Sequence, residues 1–211
     1  HDPAGARYAD PAEMTQRTLS AAADTGIAAM LLPVLYQYSG FGGAPPADGQ
    51  RRFINDADGY LSIYESASAA ARAHANIRVG AAPHSLRAAG TATMETVAAA
   101  IDPAAPIHIH IAEQVKEVAD CEAWSGARPV RYLLDTLAVD GRWCLVHATH
   151  MTEDEAADAA QAGAIAGLCP TTEANLGDGF FELSRWLDAG GALGVGSDSH
   201  ISVSPVEELR W

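Results

Sequence analysis

The chain has 211 residues, of which 48% are hydrophobic and 19% are charged, a composition that is ordinary for a globular protein with a sizeable core. Its formal net charge of −14 excludes the extended basic surface that binding of nucleic-acid phosphates requires. No apolar run approaches the ~20 residues of a membrane span, and the first residues lack the basic-then-apolar order of a signal peptide.

Apolar runs and helix signals alternate along the chain. Short apolar runs bounded by glycine, proline or polar residues predict six buried strands, at residues 27–36, 77–83, 107–112, 143–148, 164–169 and 192–196. Capping residues and alanine-rich or amphipathic segments predict helices at residues 12–25, 53–75, 91–101, 114–125, 130–138, 152–162, 181–188 and 205–211. Segment 37–52 is predicted to be a long loop, and 170–175 a shorter one.

This alternation determines the predicted fold class. Strands that are apolar on both faces and separated by helices form parallel sheets with helical crossovers, so we expect an α/β fold. No shift in composition marks a domain boundary, and we therefore treat residues 1–211 as one domain.

The third predicted strand alternates isoleucine with histidine. Side chains on a strand point to opposite faces in turn, so His108 and His110 share one face with Ala112. Glu113 follows where the strand should end, which places a carboxylate beside an imidazole. The residues fit a metal or acid–base site, and they fit equally well two core histidines followed by a helix-starting glutamate.

Polar, chemically competent side chains follow five consecutive predicted strands. In a parallel α/β fold the carboxyl ends of the strands lie on one rim, which is where barrel enzymes of this class keep their active sites. The side chains that we expect at this rim are His84, Arg87, His110, Glu113, His147, His150, Glu173, Asn175, Asp198 and His200.

Each of these side chains also has a purely structural interpretation. His84 could cap a turn, Arg87 could be a solvated surface charge, and His147 could be a satisfied core histidine. Asp198 could cap a turn. For the remaining positions we expect a structural role: a helix cap for His150, a structural place for His200, and loop shaping for Glu173 and Asn175.

The cysteines point to a reducing compartment. Cys121, Cys144 and Cys169 are odd in number and have no CxxC spacing, which argues against a disulfide framework and a cysteine-type zinc site. We expect Cys144 and Cys169 to be buried as small hydrophobic residues, and we expect the protein in the cytoplasm.

Several segments together resemble the amidohydrolase superfamily and, within it, the formimidoylglutamate deiminases. The segments that carry the resemblance are PHSLR (83–87), HIHIAEQ (108–114), WCLVHATH (143–150), TEANLGDG (172–179) and GSDSH (196–200). The resemblance implies a (β/α)8 barrel of the amidohydrolase type that binds one divalent metal, usually zinc. It further implies hydrolysis of N-formimino-L-glutamate to N-formyl-L-glutamate and ammonia, a step of histidine degradation.

The resemblance also implies roles for individual residues. His110 and Asp198 would be metal ligands, Glu113 the proton shuttle, and His147 the histidine that holds and polarises the catalytic water. Asp198 would also contact that water, which makes it part of the catalytic set with Glu113 and His147. His84 and Arg87 would bind the substrate, with Arg87 paired to a carboxylate.

One motif of the superfamily is missing from the chain. An HxH pair at the end of the first barrel strand normally supplies two more metal ligands, and we find none upstream of residue 107. We therefore expect a partial barrel, about strands three to eight, from a longer enzyme, with exposed sheet edges that would make it poorly behaved alone. The alternatives are another amidohydrolase deaminase acting on a purine, pyrimidine or nucleoside, and an inactive fragment; a homodimer is compatible with the resemblance.

Overall fold

The computed structural model describes all 211 residues, and they divide into two compact units, residues 1–108 and residues 109–211. Strands and helices alternate in both units, and the paired strands are parallel, which confirms the α/β class. None of the helices combines the length and the apolar character needed to cross a membrane.

The strands of the first unit are shorter than predicted. Each of the apolar runs at 27–36 and 77–83 forms two short strands instead of one: β1 (Ala29–Leu31) pairs with β3 (Ile77–Val79), and β2 (Val34–Leu35) pairs with β4 (Ala82–Pro83). Pro33 lies in the first break. Its carbonyl accepts a hydrogen bond from the N–H of Ala82, but proline has no N–H to donate, and the strand pairing is therefore interrupted there. Gly80 lies in the second, where an added Cβ would be 2.6 Å from the carbonyl oxygen of Pro106.

The helices of the first unit pack against these strands. They are α1 (Glu13–Thr25), a 3₁₀ helix (Asp48–Phe53), α2 (Ala57–Ala71) and α3 (Thr91–Ala100). Leu19 and Ala22 of α1 form a core cluster with Leu31, Ala71 and Ile77. The prediction of a helix over 53–75 is wrong at its start, because the Asp56 carboxylate caps α2 by accepting from the N–H of Gly59 at 2.8 Å.

A parallel sheet organises the second unit. Its strand order is β5 (Ile107–Ile111), β6 (Trp143–His147), β7 (Ile165–Leu168) and β8 (Ala192–Val195). β6 and β7 have fully buried side chains, such as Leu145 and Ala166. β8 lies at the edge of this sheet and is exposed along its whole length, so the expectation of burial on both faces fails for this strand.

Six helices belong to the second unit: α4 (Val115–Ser125), α5 (Pro129–Thr136), α6 (Glu153–Gln161), α7 (Pro170–Leu176), α8 (Leu183–Asp188) and α9 (Pro205–Glu208). Thr152 and Glu155 form a capping box at the start of α6, with reciprocal hydrogen bonds of 3.2 and 2.8 Å. The prediction of a loop at 170–175 is wrong, because Pro170 occupies the first turn of α7, where its missing N–H costs no helical hydrogen bond.

Candidate active site

β5 places His110 at the carboxyl end of the sheet. Ile107, Ile109 and Ile111 are at most 2% exposed, whereas His108 and His110 on the opposite face are half-buried. The alternation of isoleucine and histidine therefore separates a core face from a face that carries imidazoles. Ala112 follows in the left-handed region with φ of 50°, a conformation that a non-glycine residue rarely adopts.

Glu113 lies at the turn between β5 and α4. Its backbone N–H donates to Oε2 of Glu117 at 3.0 Å, which fixes the chain at the point where the strand ends. The Glu113 side chain is 17% exposed, and its Oε1 lies 3.7 Å from Nε2 of His147. The carboxylate is therefore accessible to solvent and close to a buried imidazole.

His147 ends β6 and lies between the other polar groups of this rim. It is 1% exposed, and its φ of 66° is in the left-handed region. Its ring stacks on that of His110, with the ring centroids 5.7 Å apart and the planes inclined by 25°. Backbone strain of this kind in non-glycine residues concentrates at functional sites.

Two carboxylates lie beside the nitrogens of the His147 ring. Nδ1 is 3.1 Å from Oε1 of Glu173, and Nε2 is the nitrogen near Glu113. Burial alone would lower the pKa of His147, but hydrogen bonds to Cys169 and Glu173 and the charge of Glu113 outweigh it and raise the pKa to about 10. The surroundings of His147 therefore favour a protonated ring in the absence of a metal.

The turn from β7 into α7 supplies Cys169 and Glu173, which are both buried. Oε1 of Glu173 accepts the N–H of Cys169 at 2.8 Å as well as bonding to His147. Burial raises the pKa of the Cys169 thiol, which hydrogen bonding to His147 partly offsets. Metal-ligating atoms of His147, Cys169 and Glu173 lie within 4.8 Å of one another, but the Glu173 oxygen is already engaged by two hydrogen bonds.

Asp198 follows β8, where its φ of 47° is again in the left-handed region. Thr172 joins the residues on both sides of it, because its Oγ1 donates to the carbonyl of Ser197 at 3.0 Å and accepts the N–H of Ser199 at 3.1 Å. The charge of Asp198 is one of the influences that raise the pKa of Cys169, after burial of the thiol. Asp198 is therefore within electrostatic reach of the group formed by His147, Cys169 and Glu173.

His84 and Arg87 belong to the first unit. The backbone N–H of His84 donates to the carbonyl of Leu35 at 3.0 Å, and its ring makes an edge-on contact with Tyr36 at 4.8 Å between centroids. Nδ1 of His84 lies 3.0 Å from the hydroxyl of Ser85. Arg87 is half-buried, and its Nε, which is buried, has no hydrogen-bond partner.

The structure also shows what the sequence interpretation missed. The prediction that His150 caps the following helix is wrong, since Thr152 is the cap and the His150 carbonyl accepts from Arg128. His200 is exposed, as is Asn175. The sequence predicts a loop-shaping role for Glu173 and a small buried hydrophobic residue at Cys169, whereas both bond to His147 in the structure. The signal for α7 in the sequence is Pro170, which occupies the first helical position.

The side chains at the carboxyl end of this sheet include donor types that zinc accepts. Carboxylates lie beside both nitrogens of His147, and a second imidazole and a further carboxylate come from His110 in β5 and from Asp198, which follows β8. Imidazole and carboxylate are both ordinary zinc ligands, and catalytic zinc sites take three protein ligands, of which this pair would supply two.

Comparisons with known proteins identify the family of this chain. The model of the amidohydrolase family matches residues 17–211. The chain belongs to the amidohydrolase family. The expected fold, an amidohydrolase barrel that is present in part, is thereby confirmed.

Individual amidohydrolases match over most of the chain. Formimidoylglutamate deiminase from Pseudomonas aeruginosa is 54% identical over 211 residues, which are 100% of this chain and 46% of that protein. The crystal structure of an amidohydrolase from Brucella melitensis has a TM-score of 0.97 and 50% identity, and covers 100% of this chain and 47% of its own. An adenosine deaminase from Xanthomonas campestris, solved with bound zinc, has a TM-score of 0.73 and 26% identity, covering 87% and 39%. The chain thus spans about half the length of these amidohydrolases.

Proposed function

We propose that the protein carrying this chain hydrolyses N-formimino-L-glutamate to N-formyl-L-glutamate and ammonia. The observation that carries the proposal is the placement of Glu113 Oε1 3.7 Å from His147 Nε2, next to the His110 ring. A carboxylate that shuttles protons and an imidazole that holds a water are the parts that hydrolytic deimination needs. The 54% identity to a formimidoylglutamate deiminase supports this substrate over others.

His110 and Asp198 would hold the metal, for which we propose zinc. When bound, zinc supplies a Lewis acid that lowers the pKa of water to about 7. The zinc-containing adenosine deaminase of similar fold supports this choice of metal.

Glu113 accepts a proton from the attacking water and later delivers it to the departing nitrogen, which leaves as ammonia. Its 17% exposure and its position at the end of β5 allow access to both water and substrate. His147, held between Glu113 and Glu173, donates a hydrogen bond to the oxygen on which negative charge develops. Asp198 orients the other side of the same water.

Arg87 and His84 bind the substrate in this proposal. Arg87 offers a guanidinium whose Nε has no hydrogen-bond partner, and guanidinium groups pair with carboxylates in bidentate fashion. N-formimino-L-glutamate carries carboxylates, whereas a purine or pyrimidine base carries none. This difference favours N-formimino-L-glutamate as the substrate. The second candidate function is deamination of a nucleobase or nucleoside, and the likeness to an adenosine deaminase supports it.

The proposal also includes the cellular compartment of the protein. We place it in a reducing compartment such as the cytoplasm, which is supported by three cysteines that are all free.

A charge-removing variant of Glu113 tests the proposal in the full-length protein. Glu113→Gln should keep the metal content of the wild type but lower the rate of ammonia release by about 10²–10⁴-fold, since the proton shuttle is lost. Glu122→Gln, on the exposed face of α4, is the matched control and should retain full activity. Normal turnover by Glu113→Gln, or ammonia release by the wild type from guanine or cytosine in preference to formiminoglutamate, would contradict the proposal.

A further inference from the structure

One oxygen of Glu173 receives two hydrogen bonds. Oε1 accepts the N–H of Cys169 at 2.8 Å and bonds to Nδ1 of His147 at 3.1 Å. The Glu173 side chain is 8% exposed and that of His147 is 1% exposed. Because a carboxylate only accepts hydrogen bonds, Nδ1 of His147 must carry a proton in this arrangement.

The hydrogen bond between Nδ1 and Glu173 determines the direction in which Nε2, on the other side of the ring, points. With Nδ1–H directed at Glu173, Nε2 faces Glu113. A ring flip would break the bond to Glu173 and disturb the stacking on His110. The hydrogen bond made by Nδ1 thus fixes the direction in which Nε2 points.

The helix that carries Glu173 is itself anchored. α7 begins with Pro170, and the backbone N–H of Glu173 donates to the carbonyl of Cys169 at 2.9 Å. The backbone N–H and the hydroxyl of Thr171 donate to the buried carboxylate of Glu208 at 3.0 and 2.7 Å. The start of α7, which carries Glu173, is therefore held by its own first turn and by α9.

We propose that Glu173 is a positioning residue that holds the His147 ring by a hydrogen bond at Nδ1, so that Nε2 is directed at Glu113. The inference rests on the proposed function, because His147 acts there through Nε2. The competing interpretation is that Glu173 only caps α7 through the N–H of Cys169. Both roles use the same oxygen, so the test must separate hydrogen bonding to the imidazole from stability of the helix.

Three substitutions separate the two roles in the full-length protein. Glu173→Met removes the acceptor and keeps the length of the side chain. Glu173→Gln keeps a neutral acceptor, and because two N–H groups point at one oxygen, its amide must present oxygen there. Thr152→Ala, which removes the cap of α6 without touching the site, is the control for a helix that has lost its cap.

Steady-state kinetics give the first readout. Glu173→Met should lower kcat by about 10²–10³-fold and change KM by less than about twofold, since orientation of a catalytic group is lost while substrate contacts remain. Glu173→Gln should recover kcat to within about tenfold of the wild type. Thr152→Ala should lower the melting temperature and leave kcat unchanged.

The protonation of His147 gives a second readout that does not depend on turnover. In protein labelled with 15N at histidine, long-range 1H–15N correlation spectra report which ring nitrogen carries the proton, and a His147→Gln variant assigns the signal. A hydrogen-bonded Nδ1–H signal should be present in the wild type and in Glu173→Gln, and in Glu173→Met it should be lost to exchange with water. If Glu173→Met does not fold, Glu173→Asp replaces it, because its carboxylate is one methylene shorter.

The outcomes are distinguishable from failure of the proposed function. A wild type that does not act on formiminoglutamate would reject the proposed reaction, while the spectra would still report whether Glu173 sets the His147 proton. An unchanged His147 spectrum in Glu173→Met, a kcat within about twofold of the wild type, or equal losses in the Met and Gln variants would overturn the positioning role.

Discussion

Thr172→Val tests how the structure holds Asp198. Thr172 is 1% exposed, and its hydroxyl bonds to the carbonyl of Ser197, to the N–H of Ser199 and to the hydroxyl of Ser199 at 3.0, 3.1 and 2.7 Å. Valine has the same shape without the hydroxyl, so the substitution removes these bonds and leaves the packing. Asp198, which lies between the two serines, would then lose its restraint.

The expected loss of stability follows from these contacts. At a net value of about 1 kcal/mol per hydrogen bond, three bonds correspond to about 3 kcal/mol. Ser199 is exposed, so water can replace its lost partner, and we expect about 2 kcal/mol. If Asp198 is a metal ligand, loss of its support should also weaken metal affinity by about 10–100-fold.

Urea unfolding and chelator competition measure the two effects. The urea midpoint should fall with an unchanged slope, and zinc should transfer to the chelator at a lower chelator concentration. Thr96→Val is the matched control, because its hydroxyl makes one exposed bond to the carbonyl of Ala92 within α3, and its effect should stay within about 0.5 kcal/mol. A Thr172→Val protein with wild-type stability and metal affinity would refute this account of how Asp198 is held.

Three further changes probe other parts of the molecule. Arg87→Met should raise KM for N-formimino-L-glutamate by at least about tenfold in steady-state assays, because a charge-assisted contact to a carboxylate is lost; an unchanged KM would contradict substrate binding by Arg87. Leu145→Ala, at a side chain that is 0% exposed in β6, should lower the free energy of unfolding in urea by about 2–5 kcal/mol; a loss below about 1 kcal/mol would contradict its place in the core. In metal-free protein, His147 with its pKa raised to about 10 should stabilise the fold fully below its unfolded pKa of about 6.5, and this contribution should be lost as pH rises through 10; unfolding measured from pH 6 to 10.5 should show the decline in the wild type and a weaker one in His147→Gln.

The alternation of strands and helices could be predicted from the sequence because apolar runs and helix signals follow one another along the chain, and period-two patterning predicted the two faces of β5. Isoleucine and histidine alternate in β5, and in the structure the isoleucines are buried and the histidines are half-buried. The same reasoning failed where a single residue decides the backbone. Pro33 and Gly80 lie in the breaks of the first-unit strands, and neither changes the hydropathy pattern of its run.

The contacts of Glu173 could not be predicted from local patterning. Glu173 and His147 are 26 residues apart, and their bond depends on the turn by which α7 leaves β7. The hydrogen bonds of Thr172 around Asp198 likewise join residues 25 and 27 apart. A motif identifies which residues are chemically competent, whereas the groups that orient them are determined by tertiary packing.

His110 and Asp198 are proposed to bind a common cation beside Glu113 and His147. The most direct test is an anomalous difference map, recorded at the zinc absorption edge, from crystals of the zinc-loaded full-length protein. We expect an anomalous peak at zinc-ligand distance from both the imidazole of His110 and the carboxylate of Asp198. A peak held instead by His147, Cys169 and Glu173, or none at this end of the sheet, would contradict it.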